Sequence, residues 1–364
     1  MAKSKPRAPR VVTGTPSVQL NRKEFVMRFH QRHADPTFDA IEQPLDAVAE
    51  VAWKNYVDYH KAPRTRKAGS AYADPSYDLS VDWIAARAGI REAERVQRRK
   101  SSPSRILLIN GSARSDHTCP GEMSKSYRLA KIAQRVFEST PRFEVDFLDL
   151  SQLTSEYGRV IYPCKACVST AMPLCHWPCS CYPNHALGQT QDWMNEIYAR
   201  WAAAHGVMIV TPVNWYHVPS VLKLMIDRLV CADGGNPDPT TTQGKDPKLA
   251  KAIELKGWDY PKHLAGRAYA VAVHGDAEGV DNVRAALCDW LTTLGLVQAG
   301  ESGTLARYVG YMKTYATSHD ELDLDTALQE EVRNAARSLV ETVRQIRNGE
   351  LKQPDSGLSQ PREK

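Results

Sequence analysis

The sequence predicts an α/β protein with a doubly wound parallel sheet of five strands. Two apolar runs, residues 106–109 and 207–210, have the continuous apolar character of strands that are buried on both faces. Segments with helical periodicity separate these and the other predicted strands, and this alternation is typical of a parallel sheet covered by helices. The second run ends at Thr211-Pro212 and leads into two aromatic residues, at the position where open α/β sheets bind ligands.

The first hundred residues predict helices and no strands. Residues 1–20 are rich in Pro, Lys, Arg, Thr and Ser and are expected to be disordered. Residues 22–60 have amphipathic helical spacing that is interrupted at Asp35-Pro36, and residues 80–98 predict a further helix. We therefore expect residues 1–103 to form a disordered N-terminus and a helical extension that packs on the main domain or on another subunit.

Strands and helices alternate after this extension, and we expect residues 104–349 to form the main domain. The predicted strands cover residues 106–109, 143–148, 207–212 and 267–274, with a weaker fifth at 296–300. The predicted helices cover residues 124–139, 187–204, 219–230, 280–294 and 325–348. Asp325 is the expected N-cap of the last helix and Gly349 its expected stop, and residues 350–364 are expected to be a flexible tail.

Composition and charge are those of an ordinary globular protein. Of the 364 residues, 42% are apolar and 24% are charged, and much of the net charge of +5 lies in the two tails. This distribution does not predict binding to nucleic acid. No apolar run is long enough to span a bilayer, and the basic N-terminus lacks the apolar segment of a signal peptide. We therefore expect a cytoplasmic protein without a membrane span.

The loop after the first predicted strand has the composition of an anion-binding site. Ser112, Ser124 and Ser126 can donate hydroxyl groups, and Arg114 and Lys125 offer positive charge next to a predicted helix start. The alternative is an ordinary strand-to-helix turn with a serine cap. The segment lacks the GK[ST] ending of a Walker loop and the GxGxxG fingerprint, which argues against a nucleoside triphosphate or dinucleotide site.

The loop after the third predicted strand carries the aromatic pair Trp215 and Tyr216. These side chains could stack on or border a flat ring while the backbone meets its polar edge; alternatively, both are packing residues. In the flavodoxin-like strand order, 2-1-3-4-5, the first and third strands flank the switch point at which ligands bind. The coincidence of an anion loop and an aromatic loop at this point predicts a cofactor with a phosphate and an aromatic ring.

Two segments, LLINGSARS…SKSYRLA and IVTPVNWYHVPSVLKLMIDRL, resemble the NADPH-dependent FMN reductase and iron–sulfur flavoprotein branch of the flavodoxin-like flavoproteins. The resemblance covers roughly residues 104–300, although the phosphate loop is longer than is usual in the family. It implies FMN as cofactor, with Ser112, Arg114 and Ser126 at the phosphate. It also implies that the ring contacts Pro212, Val213, Asn214, Trp215 and Tyr216 on one side and His274, Gly275 and Asp276 on the other.

A cysteine-rich insert is expected at residues 163–185. Five of the eight cysteines fall within it, at positions 164, 167, 175, 179 and 181. Thiolates at this density suit an iron–sulfur cluster or zinc, so Cys164, Cys167, Cys175, Cys179 and Cys181 are the candidate metal ligands. Metal-free thiols lining a substrate pocket are the third interpretation, and the residues do not decide among the three.

The predicted function is that of an FMN-dependent NAD(P)H oxidoreductase. A nicotinamide would reduce FMN, which would pass the electrons to a quinone or another small aromatic acceptor. No protein side chain is identified as catalytic, because the cofactor carries the chemistry. The resemblance further implies a homo-oligomer, either a dimer or a tetramer. The alternatives are an iron–sulfur flavoprotein that transfers electrons through a cluster at Cys164–Cys181, and a flavin-free regulatory protein.

Overall fold

The computed structural model describes residues 19–115, 117–118, 124–276, 278–310 and 318–351. Its helices are α1 (Arg22–Gln31), α2 (Glu42–Val57), α3 (Val81–Gln97), α4 (Lys125–Glu138), α5 (Gln152–Ser155), α6 (Met194–Ala203), α7 (Ser220–Arg228), α8 (Cys231–Gly234), α9 (Pro247–Leu255), α10 (Val280–Thr293), α11 (Ser318–Leu324) and α12 (Thr326–Asn348). Its strands are β1 (Thr65–Lys67), β2 (Asp78–Ser80), β3 (Ser104–Asn110), β4 (Phe143–Asp149), β5 (Gly206–Pro212), β6 (Ala268–Gly275), β7 (Val297–Gln298) and β8 (Thr304–Tyr308). Within these ranges, no helix combines the length and the apolar character needed to cross a membrane.

The chain forms two compact units. The helical unit contains the described residues up to Arg87 together with Lys165–Asp192 and Gly234–Tyr260. The sheet unit contains Ala88–Cys164, Trp193–Asp233 and the described residues from Pro261 onwards. The division at residue 103 that the sequence suggests stays a prediction, as does the flexible tail, most of which lies outside the described residues.

In the sheet unit, six described strands form a parallel sheet in the order β4-β3-β5-β6-β7, with β8 also paired to β6. Numbered within the sheet, this is the predicted flavodoxin-like order 2-1-3-4-5, which is confirmed. The central strands β3 and β5 are almost entirely buried, because helices cover the sheet. On one face, alternate residues such as Ile106 and Met208 pack in a single core with α4 and α12.

The fifth strand position is filled by two short strands. β7 pairs with Ala268 and Tyr269 of β6, and β8 pairs with Val271 to Gly275 of the same strand. Between them, Gly300 adopts a left-handed φ of 64° and a single 3₁₀ turn follows at Glu301–Gly303. The weak fifth strand expected at 296–300 therefore corresponds to β7, whereas β8 was not predicted.

Three further differences from the sequence expectations have local causes. The N-terminal region contains an antiparallel hairpin, β1–β2, where no strand was expected; β1 is fully exposed, so it shows no apolar alternation. The helix expected at 187–204 begins only at α6, because Gly188 has a left-handed φ of 67° and ends a preceding turn. Helix α9 was not predicted, although Asp246 caps it and Pro247 occupies its first position.

Helix α12 begins and ends where the sequence predicts. The side chain of Asp325 accepts a hydrogen bond from the backbone N–H of Leu328 at 2.9 Å, as an N-cap does. Gly349 ends the helix with a left-handed φ of 74°. The buried face of α12 contributes Leu339 and Val343 to the core beneath the sheet.

Candidate functional site

A cavity of about 140 Å³ lies in the sheet unit at the carboxyl ends of β3, β5 and β6. We call it the strand-end cavity. Its walls are formed by Ser112, Ala113, Arg114, Ser124, Lys125, Ser126, Pro212, Val213, Asn214, His274, Gly275, Asp276 and Val309. All the cofactor residues predicted from the sequence therefore line it, with the exceptions of Trp215 and Tyr216. Val309 was missed because it follows the unpredicted strand β8.

The side chain of Asn110 fixes the loop that leaves β3. Its amide N–H donates to Asp149 Oδ1 at 2.8 Å, and its Oδ1 accepts from the backbone N–H of Ser112 at 3.3 Å. The Ser112 hydroxyl oxygen in turn accepts from the backbone N–H of Arg114 at 3.1 Å. These bonds hold the loop in one conformation beside the cavity, so a ligand need not order it.

Gly111 allows this loop to approach β5 closely. A β-carbon at this position would lie 2.8 Å from Thr211 Oγ1 and 2.9 Å from a methyl group of Leu222. Both distances are shorter than carbon atoms tolerate, and Thr211 belongs to a strand that is held on both sides. The loop can therefore occupy this position only with glycine at residue 111.

The start of α4 brings a buried positive charge to the cavity. Ser124 is the N-cap, and its hydroxyl oxygen accepts from the backbone N–H of Tyr127 at 3.0 Å. Lys125, in the first turn, is only 7% exposed and lines the cavity. The N-terminal end of a helix already carries a partial positive charge, so a lysine there adds to it. A buried site with both features favours an anion such as a phosphate group.

His274, at the end of β6, shares a short hydrogen bond with Ser126. The imidazole Nε2 lies 2.7 Å from Ser126 Oγ, and both side chains are buried. Burial first, and then repulsion from the nearby Lys125 ammonium, lowers the pKa of His274 to about 3. The imidazole is therefore neutral at neutral pH and positions the Ser126 hydroxyl without adding charge to the cavity.

The aromatic pair forms a strained turn beside β5. The backbone N–H of Asn214 donates to the carbonyl of His217 at 2.8 Å, and that of His217 donates back at 3.0 Å. Between them, Trp215 and Tyr216 both adopt left-handed φ angles, 49° and 66°. This is the pattern of a type I′ turn, which strongly favours Asn and Gly. Trp215 is 94% exposed and Tyr216 61% exposed, so two large aromatic surfaces face outward next to the cavity.

These features fit a phosphate-bearing aromatic cofactor of the FMN type. The cavity is smaller than the roughly 300–1,000 Å³ of pockets that enclose a whole ligand. Its buried lysine and serine hydroxyls match a phosphate group and the chain attached to it. Backbone strain of the kind seen in the aromatic turn concentrates at ligand sites. The residues present can thus hold a phosphate inside and leave a flat ring outside.

The cysteine-rich insert lies mainly in the helical unit. There, the Sγ atoms of Cys167 and Cys181 are 3.6 Å apart, and the Lys245 ammonium is 3.7 Å from Cys167 Sγ. The pKa of Cys167 is lowered to about 6, chiefly by the hydrogen bond with Cys181 and also by the Lys245 charge, against the opposing effect of burial. The same bond raises the pKa of Cys181.

The expected metal ligands do not form an evident metal centre. In the described part of the chain, no group of three or more Cys, His, Asp or Glu side chains is arranged to hold a metal ion. Cys164 belongs to the sheet unit, whereas Cys167, Cys175, Cys179 and Cys181 belong to the helical unit. A metal at these cysteines stays a prediction.

Comparison with known proteins points to one family. The model of the family described as NADPH-dependent FMN reductase matches residues 104–308, more than half of the 364-residue chain. No protein of curated function matches the sequence.

Several solved structures are similar at low identity. RosB, in a structure with the bound intermediate 8-demethyl-8-formylriboflavin-5'-phosphate, is 12% identical with a TM-score of 0.46, over 68% of this chain and 82% of its own. The apo form of the NADH:FMN oxidoreductase EMOB is 13% identical with a TM-score of 0.35, over 70% and 93% of the two chains. The flavoenzyme NAD(P)H:(acceptor) oxidoreductase FerB from Paracoccus denitrificans is 15% identical with a TM-score of 0.36, over 66% and 98%. Likenesses of this degree say nothing about substrate.

Proposed function

This chain belongs to the NADPH-dependent FMN reductase family and is an FMN-dependent oxidoreductase, and from this premise we propose that it passes electrons from NAD(P)H to a quinone or another small aromatic acceptor. When bound, FMN would supply the redox chemistry by accepting hydride from the nicotinamide and releasing electrons to the acceptor. The protein would bind and orient the three molecules, and no side chain is assigned as acid or base.

In this proposal the FMN phosphate occupies the strand-end cavity. Ser112, Ser124 and Ser126 offer hydroxyl groups, and Arg114 and Lys125 offer charge. The observation that carries the assignment is the convergence on one cavity of the buried Lys125, the N-terminal end of α4 and three serine hydroxyl groups, which together favour an anion. The phosphate would supply that anion.

The flavin ring would lie outside the cavity, against the segment from Pro212 to Tyr216. His274, Gly275 and Asp276 would border it from β6. The exposed faces of Trp215 and Tyr216 support this placement, since stacking on a flat ring would cover apolar surface that is otherwise in water. One face of the ring would then remain open for a nicotinamide and for the acceptor in turn.

The phosphate assignment is tested by replacing Lys125 and comparing two flavins. Lys125→Met should weaken FMN binding about 10–100-fold, because a charged hydrogen bond contributes about 1.5–3 kcal/mol. Riboflavin, which lacks the phosphate, should bind the variant and the parent protein equally. Arg135→Met, on an exposed position of the same helix, is the matched control. Equal loss for both flavins, or no loss for FMN, would contradict the assignment.

The nicotinamide, the electron acceptor and the oligomeric state are further proposals, and they are based on the family. We expect a homodimer or homotetramer in the cytoplasm. Steady-state rates with NADPH and NADH, each with a benzoquinone as acceptor, would identify the preferred pair. Sedimentation of the FMN-loaded protein would give the oligomeric state, and a monomer would contradict this part of the proposal.

The second candidate function is that of an iron–sulfur flavoprotein. It is favoured by the gathering of Cys167 and Cys181 within 3.6 Å of each other in a cysteine-rich segment. Iron and labile sulfide analysis of protein purified without air decides between the two functions. Iron at cluster stoichiometry would replace the simple reductase with an electron-transfer protein.

A further inference from the structure

The helical unit contains two sulfur atoms placed to react with each other. Cys167 Sγ and Cys181 Sγ are 3.6 Å apart, and a disulfide needs about 2.0 Å. Side-chain rotation can close a gap of this size without moving the backbone far. Cys167 is half-buried, whereas Cys181 is only 7% exposed. An external reagent can therefore reach Cys167 more readily than its neighbour.

Lys245 places a positive charge beside the reactive pair. Its ammonium lies 3.7 Å from Cys167 Sγ and also donates a hydrogen bond to the carbonyl of Leu174. The carbonyl contact holds the charge in place beside the sulfur. A fixed positive charge at this distance favours the thiolate, which is the form that attacks disulfides.

A cavity of about 160 Å³ lies in the same unit, and its walls include Lys245 and the two chain neighbours of Cys181, Ser180 and Tyr182, although neither cysteine lines it. Lys61 is a further wall residue, and its ammonium donates to the carbonyl of Ser180. Asp78 also lines the cavity, but its carboxylate is paired with Lys67 at 2.8 Å. The cavity therefore carries a net positive charge from its lysines.

The histidine on the cavity wall is held by neutral hydroxyl groups. His176 is buried, and its ring nitrogens lie 2.6 Å from Ser180 Oγ and 3.1 Å from Thr242 Oγ1. The two lysines therefore select the ligand, and they favour an anion.

We propose that Cys167 and Cys181 form a thiol–disulfide exchange site whose substrate is a small anionic disulfide. The Cys167 thiolate attacks one sulfur of the disulfide, forming a mixed disulfide and releasing one thiolate. Cys181 loses its proton to solvent and attacks Cys167 Sγ, which forms the Cys167–Cys181 disulfide and releases the second thiolate. The protein loses two electrons and the external disulfide gains them. This site does not depend on the flavin reaction.

Mass spectrometry of the FMN-loaded full chain tests the role of Cys167 as the attacking thiol and that of Cys181 as the thiol that resolves the mixed disulfide. Reduced protein is exposed to oxidised glutathione without nicotinamide, quenched by alkylation and mapped by peptide. The parent protein should contain the Cys167–Cys181 disulfide and retain no glutathione. Cys181→Ser should retain glutathione on Cys167, because the second attack is lost. Cys167→Ser should retain none at Cys181 over the same time. Cys288→Ser, in the sheet unit, should behave like the parent.

The preference for an anionic disulfide is tested by measuring the rate at which the Cys167–Cys181 disulfide forms. Lys245→Met should slow the reaction with oxidised glutathione roughly tenfold, while Lys248→Met, at an exposed position nearby, should not. In the parent protein, oxidised glutathione should react faster than neutral 2-hydroxyethyl disulfide, and cationic cystamine most slowly. The flavin content of each variant reports whether it is folded.

Four results would overturn the proposal. These are thiols that do not react in the folded parent protein, a cross-link between Cys179 and Cys181 instead, a rate order independent of reagent charge, and stoichiometric iron or zinc bound at these cysteines. Bound iron or zinc would mean that the cysteines are metal ligands. Loss of flavin binding in Lys125→Met bears only on the strand-end cavity, so the two proposals fail separately.

Discussion

At the scale of single residues, anion binding in the strand-end cavity depends on the charge states of its buried polar side chains. Lys125 keeps a charge inside the protein, whereas His274 at the same cavity is buried as a neutral ring. The two residues therefore have different effects on an anion: the lysine attracts it, and the histidine positions the hydroxyl of Ser126. An anion should bind through the lysine, and its affinity should not change with the titration of His274 at neutral pH.

Gly111→Ala should damage both stability and cofactor binding. The new methyl group would overlap Thr211 and Leu222, and overpacking of this kind typically costs about 1–3 kcal/mol. We expect a lower free energy of unfolding in urea and weaker FMN binding in a fluorescence titration. Gly89→Ala is the control, because a β-carbon there meets nothing within 4 Å and alanine favours the helix. An alanine tolerated at residue 111 would show that the loop moves easily.

At the scale of elements, the turn after β5 loses conformational stability in order to expose two aromatic rings. Two large residues adopt left-handed backbone angles where a type I′ turn normally has Asn and Gly. The sequence predicts the aromatic loop but not its strain, because φ angles of this kind follow from the pairing of Asn214 with His217. The turn therefore presents two aromatic rings at a conformational cost.

The double variant Trp215→Asn with Tyr216→Gly should be more stable than the parent protein without FMN. Relief of two left-handed residues contributes roughly 1–2 kcal/mol each, so a gain of about 2–4 kcal/mol in urea unfolding is expected. The same change should weaken FMN binding, since both rings are removed. A variant that gains stability and binds FMN as well as the parent would show that the rings do not contact the flavin.

His205 joins the end of α3 to the start of β3. Its Nδ1 accepts from the backbone N–H of Arg105 at 3.0 Å, and its Nε2–H donates to the carbonyl of Gln97 at 2.8 Å. Burial first, and then repulsion from Arg347, lowers the pKa of His205 from 6.5 to about 4. Between these values the unfolded chain binds a proton that the folded chain does not. The contribution of His205 to stability is therefore complete above pH 6.5 and is lost as the pH falls towards 4.

His205→Asn should reduce the acid sensitivity of folding. The asparagine oxygen can still accept from Arg105, but nothing titrates, so the loss of stability between pH 7.5 and 5 should shrink by about 1–2 kcal/mol. Urea unfolding at the two pH values measures it. His60→Asn, at an exposed position, should leave the pH dependence unchanged. If the free energy of unfolding changed with pH equally in both variants, His205 would not be the source of the acid sensitivity.

At the scale of the whole molecule, the sheet was predictable because its central strands are buried on both faces and appear as apolar runs. Edge strands lack that signal: β8 is half-exposed and β1 fully exposed, and both were missed. The loop after β3 was predictable because its residues are contiguous. By contrast, Ser126 and His274 are 148 residues apart, and only the finished sheet brings them together.

Leu339→Ala should weaken the whole sheet unit and spare the site. Leu339 is fully buried in the core that α12 forms with α4 and the sheet, and such truncations cost about 2–5 kcal/mol. We expect a lower Tm with an unchanged FMN affinity below the transition. Glu341→Ala, on the exposed side of α12, should change neither by much. A large loss of FMN affinity in Leu339→Ala would mean that core and site are coupled.

Trp215 also gives the protein an optical reporter. The structure describes all eight tryptophans, and Trp215, at 94% exposure, is the one whose ring is mostly in water. Its emission should lie at longer wavelength than that of buried rings such as Trp201 and should be quenched selectively by iodide. A flavin resting on this turn would shield the ring from iodide and take up its excitation energy. Arrival and departure of the cofactor could then be followed in real time without a label.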